Sequence, residues 1–539
     1  ENSRATLACE KVIQRPGISM NPLLILGENG CGKSHLLSAS VQGMIRRQDG
    51  NVHLISTSTM RGWDKLPNGW EDAVAHASLL AIDDLHLAEE KIATEIGMMI
   101  DYALNLGVQI ITTSRVDSNK WEARRLWEVM RSATSIWIRK PSSSSLVTHL
   151  RRAANGRALL LGEHITKNNK RLDIQLKGSG KTPYSRNGDG KGTLKSMLRE
   201  YIVSEAMHNL NIKTTRSLAI LNTGQKIPRE TYEEGGILVR VAKSHIRVGT
   251  FQFASLSKKQ NDIKDLLDYS INRLHPEILD EKDKYLNFFE KITDSQINLI
   301  VNWQRVGFIH GVMNTDNMSL SGETIDYGPC AFLDEYNPNK VFSSIDRNGR
   351  YAFNNQPKIA LWNLARLAET FLHLIDSDEN IAIKKIENVL KKYETKYKNL
   401  WLKMMKSKIG INQDHEKDKN LIEEFLDLMH IFKLDYTNTF IALANNDLEK
   451  YTFMNEWIAK LNLRKKINKN EKENKYFNPN IIPRNHIIEN IINECRVGNY
   501  KKFNRFISLL KNPYNSDIPE EFTKEPSNEE KVYETFCGT

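Results

Sequence analysis

The chain has 539 residues, 40% of them hydrophobic and 26% charged, with a formal net charge of +10. That length exceeds one hydrophobic core and implies two to four domains. The composition is that of an ordinary globular protein rather than a disordered one, and no apolar run approaches the ~18–20 residues of a membrane span. Five scattered cysteines with no CxxC pair or zinc spacing suit a reducing compartment. A cytoplasmic protein with no membrane partner is therefore expected, and the basic excess, compatible with nucleic-acid or acidic partners, reads more simply as lysines on solvated helix faces. The composition changes near residue 154: Arg outnumbers Lys before it, and Lys outnumbers Arg after it, with many Asn and Ile. Two segments of different origin are expected.

In residues 1–154, NPLLILGENGCGKSHLL predicts a buried strand (23–26), a glycine-rich turn and a helix. Gly27-x-x-x-x-Gly32-Lys33-Ser34 is a complete phosphate-binding loop in that context. Its backbone N–H groups and the helix N-terminus would cradle phosphates, Lys33 would reach the β- and γ-phosphates, and Ser34 would bind Mg²⁺. SLLAIDDLHLAEE supplies a strand ending in Asp83 and Asp84, the first placed to hold the metal and the second to polarise water. VQIITTSR (108–115) is a third strand ending in polar residues, where a sensor of the γ-phosphate would sit. Strands alternating with helices imply a parallel α/β sheet. In this order the motifs resemble the AAA+ P-loop ATPase core of the DnaA/Hda bacterial initiator family. The resemblance implies an arginine finger among Arg124, Arg125 and Arg131. It also implies a helical lid after Pro141, for which only residues 142–154 remain, and a helix-turn-helix DNA-binding domain, which does not follow.

In residues 155–539, RLDIQLK predicts a strand (172–176) leading into Lys177, and the next helix carries Glu200. A strand Lys paired with a helix Glu is the protein-kinase arrangement for holding nucleotide phosphates. Gly180-Lys181-Thr182 looks like half of a second phosphate loop, but Gln175 stands where its first glycine belongs. GGILVRVAKSHIRVGTFQF predicts two strands carrying Arg240 and Arg247, which could clamp a polyphosphate; taken alone they would be surface charges. HGVMNTDNMSLSGETIDYG (310–328) then places Asn317 seven residues after His310 and ends in Asp326-Tyr327-Gly328. Kinases hold their two metal ions with an Asn at that spacing and with the Asp of a D-F-G. Val312 occupies the position of the usual catalytic Asp, and Asp316, beside the metal Asn, is the candidate base; the plainer role for Asp316 is loop capping.

The texts QLKGSGKTPYSRNGDGK, SEAMH, RVAKSHIRVGTF, HGVMNTDNMS, TIDYGPCAFLDEY, GRYAFNNQP, ALWNLARLAE, IPRNH and TFCGT together resemble the selenoprotein O (YdiU) family of protein adenylyltransferases over about residues 156–539. The resemblance implies an α+β, two-lobed protein-kinase-like (pseudokinase) fold with a helical C-lobe, binding ATP in reverse relative to kinases. It implies transfer of AMP to Ser, Thr or Tyr hydroxyls of proteins with Mg²⁺ or Mn²⁺, and some members use UTP. Residue by residue it implies a Lys177–Glu200 ion pair, phosphate contacts from Arg240 and Arg247, nucleotide contacts from Asp189, Gly190, Gly156 and Arg157, metal ligation by Asn317 and Asp326, and Asp316 as base. Cys537 stands where some members carry a redox-active selenocysteine, with Cys330 a candidate partner.

The expected organisation is a partial ATPase core (1–154), a kinase-like N-lobe (155–262), a C-lobe (263–480) and an extension (481–539) ending in Cys537. The N-lobe starts late: Ala153-Ala154-Asn155-Gly156-Arg157 lacks the first Gly and the Asp of the family's G-D-G-R-A. Two shortened domains meeting there imply a fusion or join. The Lys/Asn-rich stretch 464–479 is expected to be a loop rather than a nucleic-acid patch. A competing reading makes the chain a DNA-associated, initiator-like ATPase with the kinase-like part as passenger, and an ordinary protein kinase is disfavoured by Val312.

Overall fold

The computed structural model describes residues 2–18, 20–28, 31–47, 50–137, 158–182, 188–256, 261–466 and 477–535. The chain divides into two compact units, Glu1–Ser143 and Ser144–Thr539. The expected nucleotide contacts Gly156 and Arg157, the Ala153–Arg157 junction, residues 142–154 and Cys537 lie outside the described residues. No helix among the described residues is long and apolar enough to cross a membrane.

In the first unit, β1 (Leu23–Leu26), β2 (Asn51–Ser56), β3 (Ala77–Asp83), β4 (Gln109–Ser114) and β5 (Thr134–Trp137) form a parallel sheet in the order β2-β3-β4-β1-β5. Every side chain of β1 is buried, as a parallel strand covered on both faces requires. Leu24, Leu26, Leu80, Ile82 and Ile110 point into one core with helix Glu90–Asn105, while Leu23, Ile25, Leu79, Ala81 and Ile111 point into another with helices Asn2–Gln14 and Lys33–Arg47. Because the strands are parallel, the loops after β1, β3 and β4 open at one carboxyl edge, where ligands of such sheets bind. This is the α/β P-loop architecture that the motifs imply.

The second unit begins with a mostly antiparallel sheet. β6 (Ala158–Ile165) pairs with β7 (Arg171–Lys177), and β10 (Tyr232–Ala242) pairs with β7, with the short β8 (Gly192–Thr193) and with β9 (Arg216–Pro228). Helix Leu194–Asn209, whose N-cap Thr193 accepts from Ser196 N, packs on β9 and β10. Beyond Val248 the unit is helical around one continuous core, which helices Lys284–Val306, Gln356–Glu369, Glu379–Lys408 and Asp418–Ile431 share. Inside it, the two-residue strands β11 (Phe308–Ile309) and β12 (Ala331–Phe332) pair antiparallel and frame the loop that carries His310, Asp316, Asn317 and Asp326.

Two expectations are corrected. Arg247 is not on a strand: β10 ends at Ala242, and Arg247 is the N-cap of helix Val248–Ser255, with its N–H donating to Thr250 Oγ1. Ser244 Oγ accepts from Ile246 N and turns the chain between them. Arg464–Lys466 is the end of helix Asn455–Lys466, not loop, because the buried Arg464 donates to both carboxylate oxygens of Asp418 at 2.6 and 3.1 Å; residues 467–476 of that stretch lie outside the described residues.

Candidate active site

The strand, the helix and the loop bring five charged side chains of the second unit to one place. Lys177, the last residue of β7, donates from Nζ to Glu200 Oε2 and to Asp326 Oδ1, each at 2.5 Å. Arg240, on β10, donates to Glu200 Oε1 at 2.6 Å and to Asp326 Oδ1 at 2.5 Å. Arg247 donates to Asp326 Oδ2 at 3.4 Å and to the main-chain oxygen of Asp316 at 2.9 Å. Lys177, Glu200, Arg240 and Arg247 are buried, while the Asp326 side chain keeps 22% of its surface exposed.

Burial alone would raise the Asp326 carboxyl; Arg240, Lys177 and Arg247 outweigh it and hold the group well below the usual carboxylate range. Glu200 is shifted down in the same way, burial being overcome by Arg240 and Lys177. The Arg240 guanidinium is raised by Asp326 and Glu200 against its burial, whereas burial lowers that of Arg247. Three cations thus face two carboxylates, an excess of positive charge with one partly open side, which suits a polyphosphate.

The loop itself is braced. His310 is fully buried, its N–H donates to Gln356 Oε1 at 3.0 Å, and its Nε2 donates to Ile325 O at 2.8 Å, fastening the two ends of the loop beside Asp326. Burial lowers the His310 pKa, so it serves as a neutral brace. Asn317 Nδ2 donates to Val312 O at 2.9 Å, leaving the amide oxygen as its remaining donor atom for a metal.

Asp326 and Asn317 offer one carboxylate and one amide oxygen. Hard oxygen donors of this kind fit Mg²⁺ or Mn²⁺, ions that take few protein ligands and complete their shell with phosphate and water. Among the described residues no group of three or more His, Cys, Asp and Glu forms a metal cluster.

Asp189 and Gly190 lie in the glycine-rich turn between β7 and β8. Gly180 N donates to Gly190 O, closing the turn; Gly190 has φ +68°, and a Cβ there would lie 2.1 Å from Gly180 O, so only glycine fits. Asp189 is held low by hydrogen bonds from Arg229, at 3.0 and 3.2 Å. Arg229 was not anticipated; it lies in β-hairpin text with no spacing signal, forty residues from its partner. Cys330, the expected redox partner, is fully buried, and burial pushes its thiol up to about 12. A cavity of about 390 Å³ among the helices, lined by Tyr336, Phe353, Tyr393, Tyr397 and Trp401, contains none of these site residues.

Glu323 was also missed. It is buried beside the loop, where its Oε2 accepts from Lys243 N at 3.0 Å and Ser321 Oγ at 2.7 Å, tying the end of β10 to the Asp326 loop. Burial pushes its carboxyl from 4.5 up to about 7. A carboxyl raised on folding stabilises the protein fully below its unfolded pKa, and that stability is lost as pH rises through the folded value. The Glu323→Gln variant should therefore lack a fall in stability of about 3 kcal/mol that wild type shows between pH 4.5 and 7, read as the difference between the two proteins' urea-denaturation profiles over that range.

In the first unit, Lys33 Nζ donates to Gly27 O at 2.8 Å and Glu28 O at 3.1 Å. Asp83 Oδ1 accepts from Ser34 Oγ at 3.1 Å and from Thr113 Oγ1 at 2.5 Å, and Asp84 N donates to Thr113 Oγ1 at 2.7 Å. The ends of β1, β3 and β4 are thereby joined, with Gly27, Gly32, Lys33, Ser34, Asp83 and Asp84 on one edge. Of the candidate arginine fingers, Arg125 pairs with Asp101 and Arg124 with Glu128, while Arg131 is exposed.

Comparison with known proteins places both units. Residues 151–511 match the family model described as "Protein adenylyltransferase SelO", and residues 1–134 match "Bacterial DnaA ATPAse domain". The chain is 49% identical over 404 residues to "Protein nucleotidyltransferase YdiU" of Pelagibacter ubique (strain HTCC1062), covering 72% of this chain and 83% of that protein. The protein of the same name from Clostridium perfringens (strain ATCC 13124) is 49% identical over 406 residues, covering 72% and 82%. Among solved structures, domain III of the Thermotoga maritima replication initiation protein DnaA aligns at 24% identity and TM-score 0.24, covering 28% of this chain and 65% of that one.

Proposed function

The chain belongs to the SelO family of protein adenylyltransferases, and we propose that it transfers AMP from ATP, or UMP from UTP, to Ser, Thr or Tyr hydroxyls of proteins. The observation that carries the proposal is the Lys177–Glu200–Arg240–Arg247–Asp326 cluster, with the Asp316 main chain on Arg247. The fold of residues 155–480 is read as a kinase-like N-lobe and helical C-lobe, with the loop between β11 and β12 as the catalytic segment.

In this reading Lys177, Arg240 and Arg247 bind the triphosphate, and Glu200 fixes the Lys177 and Arg240 head groups so that their order is in place before nucleotide arrives. Asp189 and Gly190 contact the nucleotide. Asp316 accepts the proton of the attacking hydroxyl. The hydroxyl oxygen forms a bond to the α-phosphorus while the bond from that phosphorus to the bridging oxygen breaks, and pyrophosphate leaves. Mg²⁺ or Mn²⁺ held by Asp326 and Asn317 would neutralise charge on the phosphates.

The test is to incubate the chain with Mg²⁺ or Mn²⁺ and ATP labelled at either the α- or the γ-phosphate, and to read intact masses. An AMP-sized gain with α-label retained is expected. A phosphate-sized gain with γ-label would overturn the reading in favour of an ordinary kinase.

The joined Lys33–Ser34–Asp83–Thr113 edge favours a second activity in residues 1–134, nucleoside triphosphate binding with Mg²⁺ on Ser34 and Asp83. Lys33→Ala should weaken ATP binding at that site by tenfold or more and remove one of two binding events in calorimetry, leaving the second unchanged. The DNA-associated ATPase reading requires salt-dependent DNA binding, and its absence at low salt would sink that reading.

A further inference from the structure

The helix that carries Glu200 is held from behind by the residue next to it. Arg199 is 6% exposed, and its Nη2 donates to Cys330 O at 2.7 Å and to Asn485 Oδ1 at 2.6 Å, while Nη1 lies 3.5 Å from Glu489 Oε1. Lys195, one turn earlier, pairs with the same Glu489 at 2.9 Å. Tyr201 packs against Phe503 with ring centroids 5.8 Å apart. Helices Asn485–Arg496 and Lys501–Leu510 therefore back the Glu200 helix, and Cys330 lies four residues beyond Asp326. One guanidinium joins three pieces: the helix bearing Glu200, the segment following Asp326, and a helix near the C-terminal end of the chain.

The energetics favour a geometric role. Arg199 Nε and Asn485 Nδ2 have no hydrogen-bond partner among the described residues. A buried arginine that is only partly satisfied contributes little net stability, because desolvation offsets what its bonds return. What it does supply is a fixed orientation, since the planar fork accepts only one arrangement of its two acceptors. About 100° further around the same helix, Glu200 must meet Lys177 at 2.5 Å and Arg240 at 2.6 Å. A small rotation of the helix would break both contacts.

We propose that Arg199 is a positioning residue that acts through Glu200, and that Asn485 on the C-terminal helix is its anchor, so that the order of the phosphate-binding cations depends on a segment outside the nucleotide site. The inference rests on reading Lys177 and Glu200 as nucleotide-binding residues.

The test uses the full chain with Arg199→Met, Asn485→Leu and Asn485→Asp, each in the wild-type and Glu200→Gln backgrounds. Two quantities are read: affinity for a fluorescent ATP analogue, and the rate of α-label transfer. In the wild-type background, Arg199→Met and Asn485→Leu should each lower both by about tenfold. Asn485→Asp, which keeps the acceptor, should restore them. In the Glu200→Gln background the same substitutions should change nothing further. An equal loss in both backgrounds, or wild-type values for Arg199→Met, would overturn the proposal. Should Arg199→Met fail to fold, the Asn485 pair decides alone. Should wild type transfer no label, the reaction assigned above fails, and the affinity cycle still decides whether Arg199 works through Glu200.

Discussion

Asp326→Asn is expected to abolish α-label transfer while leaving metal-free ATP binding intact or tighter, and Asp326→Ala is expected to lower stability by about 3–5 kcal/mol. The reason lies in what Asp326 faces. Its two oxygens take Lys177 and Arg240 at 2.5 Å and Arg247 at 3.4 Å, so removing the carboxylate leaves buried cations with Glu200 as their only shared anion within the cluster. The Asn variant keeps an acceptor oxygen and loses the charge, which separates the two effects. A triphosphate then meets a more positive cluster, so binding in the presence of EDTA should not weaken. Transfer should fall at least a hundredfold, because a metal held as proposed by Asp326 and Asn317 would lose the carboxylate of that pair. Because the Asp326 pKa is depressed on folding, its stabilisation is complete above the unfolded value and disappears only as pH falls through the folded one. The stability difference between wild type and Asp326→Ala should therefore be flat from pH 5 to 8 in denaturant titrations. A difference that shrinks towards pH 5 would show that Asp326 is not held as an anion by these three groups.

The parts of this site that sit on regular elements were legible as spacing. Lys177 closes an alternating strand, Glu200 lies on the following helix, Asn317 keeps a kinase-like interval of seven from His310, and Asp326 opens an Asp-Tyr-Gly triplet. The phosphate loop, Asp83 and the polar end of the 108–115 strand were legible because each closes an apolar strand, and parallel strands put those ends on one edge. The text GGILVRVAKSHIRVGTFQF puts Arg247 on a second strand; the turn made by Ser244 depends on a hydroxyl bond that any serine could make or forgo. The Asp189–Arg229 pair depends on where β9 and its hairpin return against the glycine-rich turn, and no local pattern encodes that register. Glu323 and Arg199 read as ordinary charged residues, one in a loop and one on a helix. Their burial is a property of what packs against them, decided by residues as far away as Asn485.

Gly249 shows most sharply what sequence could not convey, and it gives the second large effect. It lies in the first turn of helix Val248–Ser255, in helical conformation, so alanine would be the better helix former there by about 1 kcal/mol. Yet a Cβ at Gly249 would lie 2.2 Å from Asp316 Oδ1 and 3.2 Å from its Cγ. Asp316 is thus held between two neighbours: Arg247 donates to its main-chain oxygen at 2.9 Å, and the bare Cα of Gly249 leaves room for its carboxylate. Gly249→Ala should fold at least as stably as wild type, bind ATP equally well, and transfer label about a hundredfold more slowly, because the proposed base is pushed off its position by roughly an ångström. Asp316→Ala should lose about 10²–10⁴-fold, the usual contribution of a general base, again with nearly unchanged ATP affinity. The decisive comparison is the double variant. If Gly249 matters only as the seat of the Asp316 carboxylate, adding Gly249→Ala to Asp316→Ala removes nothing more. A further hundredfold loss in the double variant would mean that the methyl group disturbs Arg247 or the phosphates instead. Unchanged transfer in Asp316→Ala would remove the carboxylate from the reaction altogether.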